Sequence, residues 1–264
     1  MKKINWSKLP SLTAFSFVII FLYIPIVILI IFSFNDTNFP STWRGFTLRH
    51  YVNILSDREI LPALRNTFIL GLLTTLISTV IGIFAALSLE NLKFKGRKFF
   101  SGLIYLPLVM PDILLGVSLL IFFSSFNARM GMLTVLIAHI TFCISYTIIV
   151  IQSRLQGFDK SLEEAAMDLG ANKTQIFFQI KLPLMVPGIL AAALLAFTLS
   201  LDDYVITFFT TGGGYNTLPL IVEGTILGGR GASPISTINA ISTVIICFTI
   251  ILAFLTSKVK KYIW

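Results

Sequence analysis

Long apolar runs, separated by short polar segments, set the pattern of this chain. Runs of at least about 20 helical residues, enough to cross a hydrocarbon layer of roughly 30 Å, fall at Leu12–Phe34, Thr67–Leu89, Phe99–Phe126, Met132–Gln152, Leu184–Phe209 and Ile235–Ser257. The pattern predicts an all-α membrane protein with six transmembrane helices. On this reading residues 1–264 form a single transmembrane domain. The first run follows the basic segment MKKINWSK, but it is too long for a signal-peptide core, contains Pro25, and leads into NDTNFP rather than a small-residue cleavage pattern. It reads as an uncleaved anchor.

Composition agrees with the pattern. Hydrophobic residues make up 56% of the chain, charged residues only 12%, and mean hydropathy is +0.89, outside the range of a soluble domain. The net charge of +8 raises nucleic acid as a partner, yet the positions of the bases exclude that reading. If six spans alternate, 14 of the 20 basic residues share one side: they precede the first span (Lys2, Lys3, Lys8), lie between spans 2 and 3 (Lys93, Lys95, Arg97, Lys98) and between spans 4 and 5 (Arg154, Lys160, Lys173, Lys181), and follow the last (Lys258, Lys260, Lys261). By the positive-inside rule both termini are expected in the cytoplasm. Cys143 and Cys247 fall inside spans, with no disulfide or metal-ligand spacing, and read as small apolar core residues.

One inner loop, residues 153–183, carries explicit helix signals. Ser161 and Glu164 have capping-box spacing, and Leu162, Ala165, Ala166 and Leu169 recur on one helical face, leaving Glu163 and Asp168 on others. Gly170 supplies a stop. A second short helix, Lys173–Ile180, is expected to end where Pro183 and Pro187 reset the chain into span 5. The small Ala165–Ala166 face suits close packing on another protein better than lipid insertion.

Glu164-Ala165-Ala166, Gly170 and Ile180-Lys181-Leu182-Pro183, in this spacing and between spans 4 and 5, resemble the EAA signature of permease subunits of ATP-binding-cassette importers with the type I, MetI-like fold. TWRGFT at 42–47, MPDILLGVSLL at 110–120, HITFCISY at 139–146, SRLQGFD at 153–159 and LSLDDYV at 199–205 are similar to the permeases of spermidine/putrescine importers. The resemblance implies a coupling helix, with Glu164, Ala165, Ala166, Gly170, Leu182 and Pro183 forming the contact with a cytoplasmic ATPase. It further implies a second permease subunit of similar fold, two copies of that ATPase, an extracytoplasmic polyamine-binding protein, and a multi-pass location in the bacterial inner membrane. No GxxxxGK[ST] phosphate loop occurs in the chain. ATP and Mg would therefore be bound by the partner ATPase, with no cofactor and no catalytic residue here.

Three acids, Asp112, Asp202 and Asp203, lie within the predicted spans without any Lys or Arg at similar depth. A charge at mid-membrane costs on the order of 2.5–3.5 kcal/mol, so these acids are candidates for the path of a cationic cargo. Counting helical rise places Asp112 and Asp202 in one layer, roughly 20 Å above the inner boundary. Adjacent acids on a helix point about 100° apart, so Asp202 and Asp203 are expected to differ in role. Pro107 and Pro111 free carbonyls next to Asp112, as in the interrupted helices that line transporter cavities. Trp43 reads as an interfacial anchor or as a cation–π contact for an ammonium. His139 reads as a hydrogen-bonded residue between helices. Other cargoes for the same importer, or a cation-coupled carrier working alone, are the alternatives; the latter leaves the 153–183 loop without a purpose.

Overall fold

The computed structural model describes residues 9–37, 42–91, 95–157, 159, 161–226 and 234–262. Several positions used above, Lys2, Lys3, Lys8, Lys93 and Lys160 among them, lie outside the described residues. The helices, in order, are α1 (Leu9–Ser33), α2 (Arg49–Ser56), α3 (Ile60–Asn91), α4 (Arg97–Val109), α5 (Asp112–Ser125), α6 (Met132–Leu155), α7 (Ser161–Asp168), α8 (Lys173–Ile176), a π-turn (Phe177–Lys181), α9 (Leu182–Asp202), α10 (Val205–Thr210), α11 (Leu218–Ile226) and α12 (Ile235–Tyr262). Among the described residues the β structure is one isolated antiparallel bridge, Asn35 to Phe46.

Four helical stretches are long and apolar enough to cross a membrane: Thr13–Ser33, Ile60–Glu90, Met132–Leu155 and Lys173–Asp202. A fifth crossing results if α4 and α5 count as one span, and Ile235–Ile251 is a shorter apolar stretch. The chain is a helical membrane protein. Span 3 is interrupted where Pro111 predicts: its halves are bent by 111°, with Met110 and Pro111 both in extended conformation. Pro111 has no amide to continue the ladder and disfavours helix at the residue before it. The depth of Asp112 therefore cannot be counted along one axis.

Two compact units emerge from the contacts, Met1–Leu61 with Gly224–Ile250, and Pro62–Glu223 with Ile251–Trp264. In the first, α1 is apolar on all sides and exposes Phe15, Phe17 and Phe21, as a lipid-facing span does. The segment 35–65 between the first two apolar runs is partly helical, since α2 lies within it and α3 begins at Ile60. Buried Asn35 organises it: its side chain donates to the Thr42 carbonyl and accepts from the Arg44 amide, and its own carbonyl meets Nε2 of buried His50 at 3.0 Å. Phe46 stacks on Phe34 at 5.3 Å.

The second unit centres on α3, α6 and α9, whose Ala86, Leu89, Ile148, Ile151, Met185 and Ala192 form one apolar core. A second core joins Phe123 of α5, Ala138, Phe142 and Cys143 of α6, Ala196 of α9 and Ile206 of α10. Cys143 is thus a small core residue as expected, whereas Cys247 is exposed. Small residues let the backbones approach, as in other helix bundles in lipid. A Cβ at Gly82 of α3 would collide with Thr147 Oγ1 of α6, and that hydroxyl already bonds the Ser78 carbonyl at 3.0 Å. Gly82→Val is therefore expected to destabilise the detergent-solubilised protein by about 1–3 kcal/mol. Gly102→Ala, whose Cβ would meet nothing within 4 Å, should not lower the unfolding temperature in the same measurement, and removing a glycine from the interior of α4 should raise it slightly.

Candidate functional site

Span 5 also breaks. After 21 residues α9 stops at Asp202, Asp203 is extended (ψ 121°), and α10 restarts at Val205. The first amides of a helix have no partner within it, and in a membrane water is not there to supply one. Asp203 fills this role: Oδ1 accepts from the Ile206 amide at 3.3 Å, and Oδ2 accepts from the Thr207 amide and the Thr207 hydroxyl, both at 2.8 Å. The carboxylate is here because the helix breaks here.

His139 of α6 closes the arrangement from the side. Fully buried, it places Nε2 2.8 Å from Thr207 Oγ1 and 3.3 Å from Asp203 Oδ2, and Nδ1 2.7 Å from Ser200 Oγ. A neutral imidazole protonated on Nε2 satisfies every atom: Ser200 donates to Nδ1, Nε2–H donates to Thr207 Oγ1, and Thr207 donates to Asp203. His139 is the interhelical hydrogen-bonding residue anticipated from the sequence. Its partners Ser200 and Thr207 were not singled out there, although Ser200, Asp203 and Thr207 stand three and four apart, the spacing of one helical face.

Asp202 and Asp203 accordingly differ. The Asp203 side chain is only 9% exposed, whereas Asp202 is exposed. Asp112 is exposed at the first position of α5, and among the described residues neither it nor Asp202 is paired with a cation. The structure holds both beside helix breaks without joining them by a hydrogen bond. Helix α5 carries Asp112 into the same packing unit as α10, since a Cβ at Gly116 would lie 2.7 Å from the Phe209 ring. Trp43, in the first unit, is 53% exposed on a loop tied down by Asn35.

The loop between α6 and α9 is the second functional element. Gly170 closes α7 as expected: at φ +86° it lets the Ala171 amide reach the Ala166 carbonyl and its own amide reach Met167, both at 2.9 Å, a Schellman end. The start differs from expectation. Ser161 is already helical, and Asp159 Oδ1 accepts its amide at 2.9 Å, holding the exposed Asp159 carboxyl below the ordinary carboxylate range. Glu163 lies on a different face from Leu162 and Leu169, as the spacing predicts. Leu162 and Leu169 are exposed, Leu169 by 89%, while Glu163 turns inward to meet Lys181 Nζ at 2.9 Å. Of the expected coupling residues, Glu164, Ala165, Gly170 and Pro183 are exposed, and Ala166 and Leu182 are half-buried.

The prolines do not reset the chain. Asn172 and Gln175 cap α8 reciprocally, and helix then continues from Lys173 to Asp202. The π-turn supplies the reason, because the Leu182 amide bonds back five residues to the Phe177 carbonyl, widening the ladder just before Pro183.

Comparison with known proteins defines the class. Residues 78–263 match the family described as binding-protein-dependent transport system inner membrane component, and the chain belongs to that family. It is a multi-pass inner-membrane protein. It is similar to the spermidine/putrescine transport system permease protein PotC of Escherichia coli K12, at 35% identity over 91% of this chain and 90% of PotC. It is also similar to the putrescine transport system permease protein PotI of the same organism, at 41% identity over 86% of this chain and 82% of PotI. Among solved structures, a bacterial ABC transporter involved in import of the acidic polysaccharide alginate shares the fold, with TM-score 0.70, 19% identity, and 96% and 93% of the two chains covered. The MetNI methionine ABC transporter shares it too, with TM-score 0.60, 17% identity, and 81% and 98% covered.

His139→Ala leaves the Ser200 and Thr207 hydroxyls short of a buried partner and is expected to cost about 1–3 kcal/mol of stability. A double-mutant cycle with Thr207→Val should return a coupling energy above about 0.5 kcal/mol in detergent unfolding. For Asp159 the lowered pKa means that its support of α7 is present above the ordinary carboxylate range and is lost as pH falls through the lowered value. Hydrogen exchange at 161–168, corrected for intrinsic rate, should accelerate below pH about 4, and Asp159→Asn should abolish that dependence.

Proposed function

We propose that this chain is the permease subunit of an ABC importer that moves polyamines, spermidine or putrescine, into the cytoplasm. The observation that carries the reading is the match over most of the chain to PotC and PotI, whose names state those cargoes. Six spans with cytoplasmic termini, forming one permease domain over 1–264, fit the distribution of basic residues. The chain works with a second permease of similar fold, two copies of an ATPase that bind ATP and Mg, and an extracytoplasmic binding protein. ATP-driven closure of the ATPases shifts α7, and that motion passes to the spans and alternates access to the cargo path; hydrolysis resets it.

Within that path the acids divide the work. Asp112 and Asp202, exposed and unpaired with a cation among the described residues, offer charge to an ammonium, while Asp203 holds the break that presents Asp202. Transient binding suits a path that must release its cargo. Trp43, exposed on its tied loop, meets the ammonium by a cation–π contact as cargo leaves the binding protein. On the cytoplasmic side Leu162, Glu164, Ala165 and Leu169 face outward and form the ATPase contact.

In vesicles holding the complete complex, spermidine or putrescine with the binding protein should stimulate ATP hydrolysis. Equal stimulation by an unrelated sugar, or uptake without ATP, would sink the reading. Asp112→Asn and Asp202→Asn should each lower uptake about tenfold, the loss of one charge-assisted contact, with the complex still assembled. Leu169→Asp should reduce co-purification of the ATPase without changing the unfolding temperature, since that side chain packs on little of its own chain.

A further inference from the structure

Two neighbouring acids on α7 face opposite ways. Glu164 is exposed, while Glu163 is 22% exposed and holds Lys181 Nζ at 2.9 Å, the lysine being 15% exposed. Lys181 ends the π-turn, and α9 begins at the next residue. The pair therefore bridges the loop helix and the foot of span 5. It borders a cavity of about 400 Å³ whose apolar wall includes Leu87, Met167 and Ile176, so the pair is partly shielded from solvent.

Along the backbone the same two elements are joined by compliant pieces. From α7 the chain passes through the left-handed turn at Gly170 and then the π-turn at Phe177–Lys181. A π-turn is a single-turn interruption of the α ladder, of the kind frequent at functional sites, and the Gly170 turn ends the helical ladder outright. A push on α7 carried by the backbone alone would be absorbed there. Beyond Lys181 the path is stiff: α9 is 21 residues, about 30 Å of continuous helix, and it ends at Asp202, where span 5 breaks.

We propose that Glu163 and Lys181 form a charged strut that carries motion of α7 past these turns into α9, and so to the break at Asp202–Tyr204. Both are positioning residues, acting through α9 and touching neither cargo nor nucleotide. The inference rests on the ABC importer reading above. Partial burial matters because a pair open to solvent on every side contributes little and is weakened by salt.

Charge reversal tests it in vesicles containing the complete complex, with putrescine and its binding protein as the probe. Glu163→Lys and Lys181→Glu should each leave the ATPase bound and hydrolysing, yet lower putrescine moved per ATP by about fivefold, the equivalent of a pair worth ~1 kcal/mol. Hydrogen exchange at 173–181 should accelerate in both. The swapped double variant should recover both readouts. Single variants with wild-type yield per ATP and wild-type exchange, or a double variant no better than the worse single, would overturn the strut. A wild-type complex that hydrolyses ATP but moves no putrescine would defeat the cargo reading alone, and the exchange arm would still decide the strut. Loss of the ATPase from the wild-type complex would overturn both.

Discussion

A helix that stops inside a hydrocarbon layer leaves polar amides with no water to accept them, and everything around span 5 follows from that constraint. The chain answers it with Asp203, whose carboxylate takes the amides of Ile206 and Thr207 and the Thr207 hydroxyl. That acid in turn needs cover, and His139, itself fully buried, provides it through Thr207 while anchoring on Ser200 across α9. Each group is satisfied only because the others are in place, the condition under which a buried polar network holds a unique arrangement. The exposed Asp202 is then left at the end of a stable helix.

The two helix breaks serve one architecture by different means. At Met110–Pro111 the ladder is cut by a missing amide, and the span turns by 111°. At Asp203–Tyr204 an acid side chain closes the restart. In both places an acid sits at the start of the next helix, Asp112 as its first residue and Asp203 two residues before it, where free amides and the helix dipole favour negative charge. These two acids are thus placed where the backbone offsets part of their cost, whereas Asp202 ends α9 and gains nothing from its dipole.

On the other side of the molecule the same economy of ties governs the 153–183 loop. Its two helix ends are closed by local backbone geometry, at Gly170 and at Asn172 with Gln175. A charged pair, Glu163 with Lys181, ties α7 to the turn before α9. What remains outward on α7 is a small and apolar surface bounded by Leu162 and Leu169.

By itself the sequence determined the helical membrane class, the position of the 153–183 loop, the stop at Gly170 and the likeness to polyamine permeases. These depend on apolar run length, on local spacing and on a residue type that alone tolerates the left-handed turn. His139 as an interhelical partner was legible too, because an imidazole in an apolar run must find hydrogen bonds. Only the tertiary structure decided which acid is free. Asp202 and Asp203 are the same residue type one step apart, and their difference arises from where α9 ends and from α6, some 60 positions away in sequence, delivering an imidazole at 3.3 Å. The inward turn of Glu163 and the passage of helix through Pro183 are of the same kind. Each is settled by which partner side chain or widened ladder lies opposite, and periodicity along the chain carries no record of that.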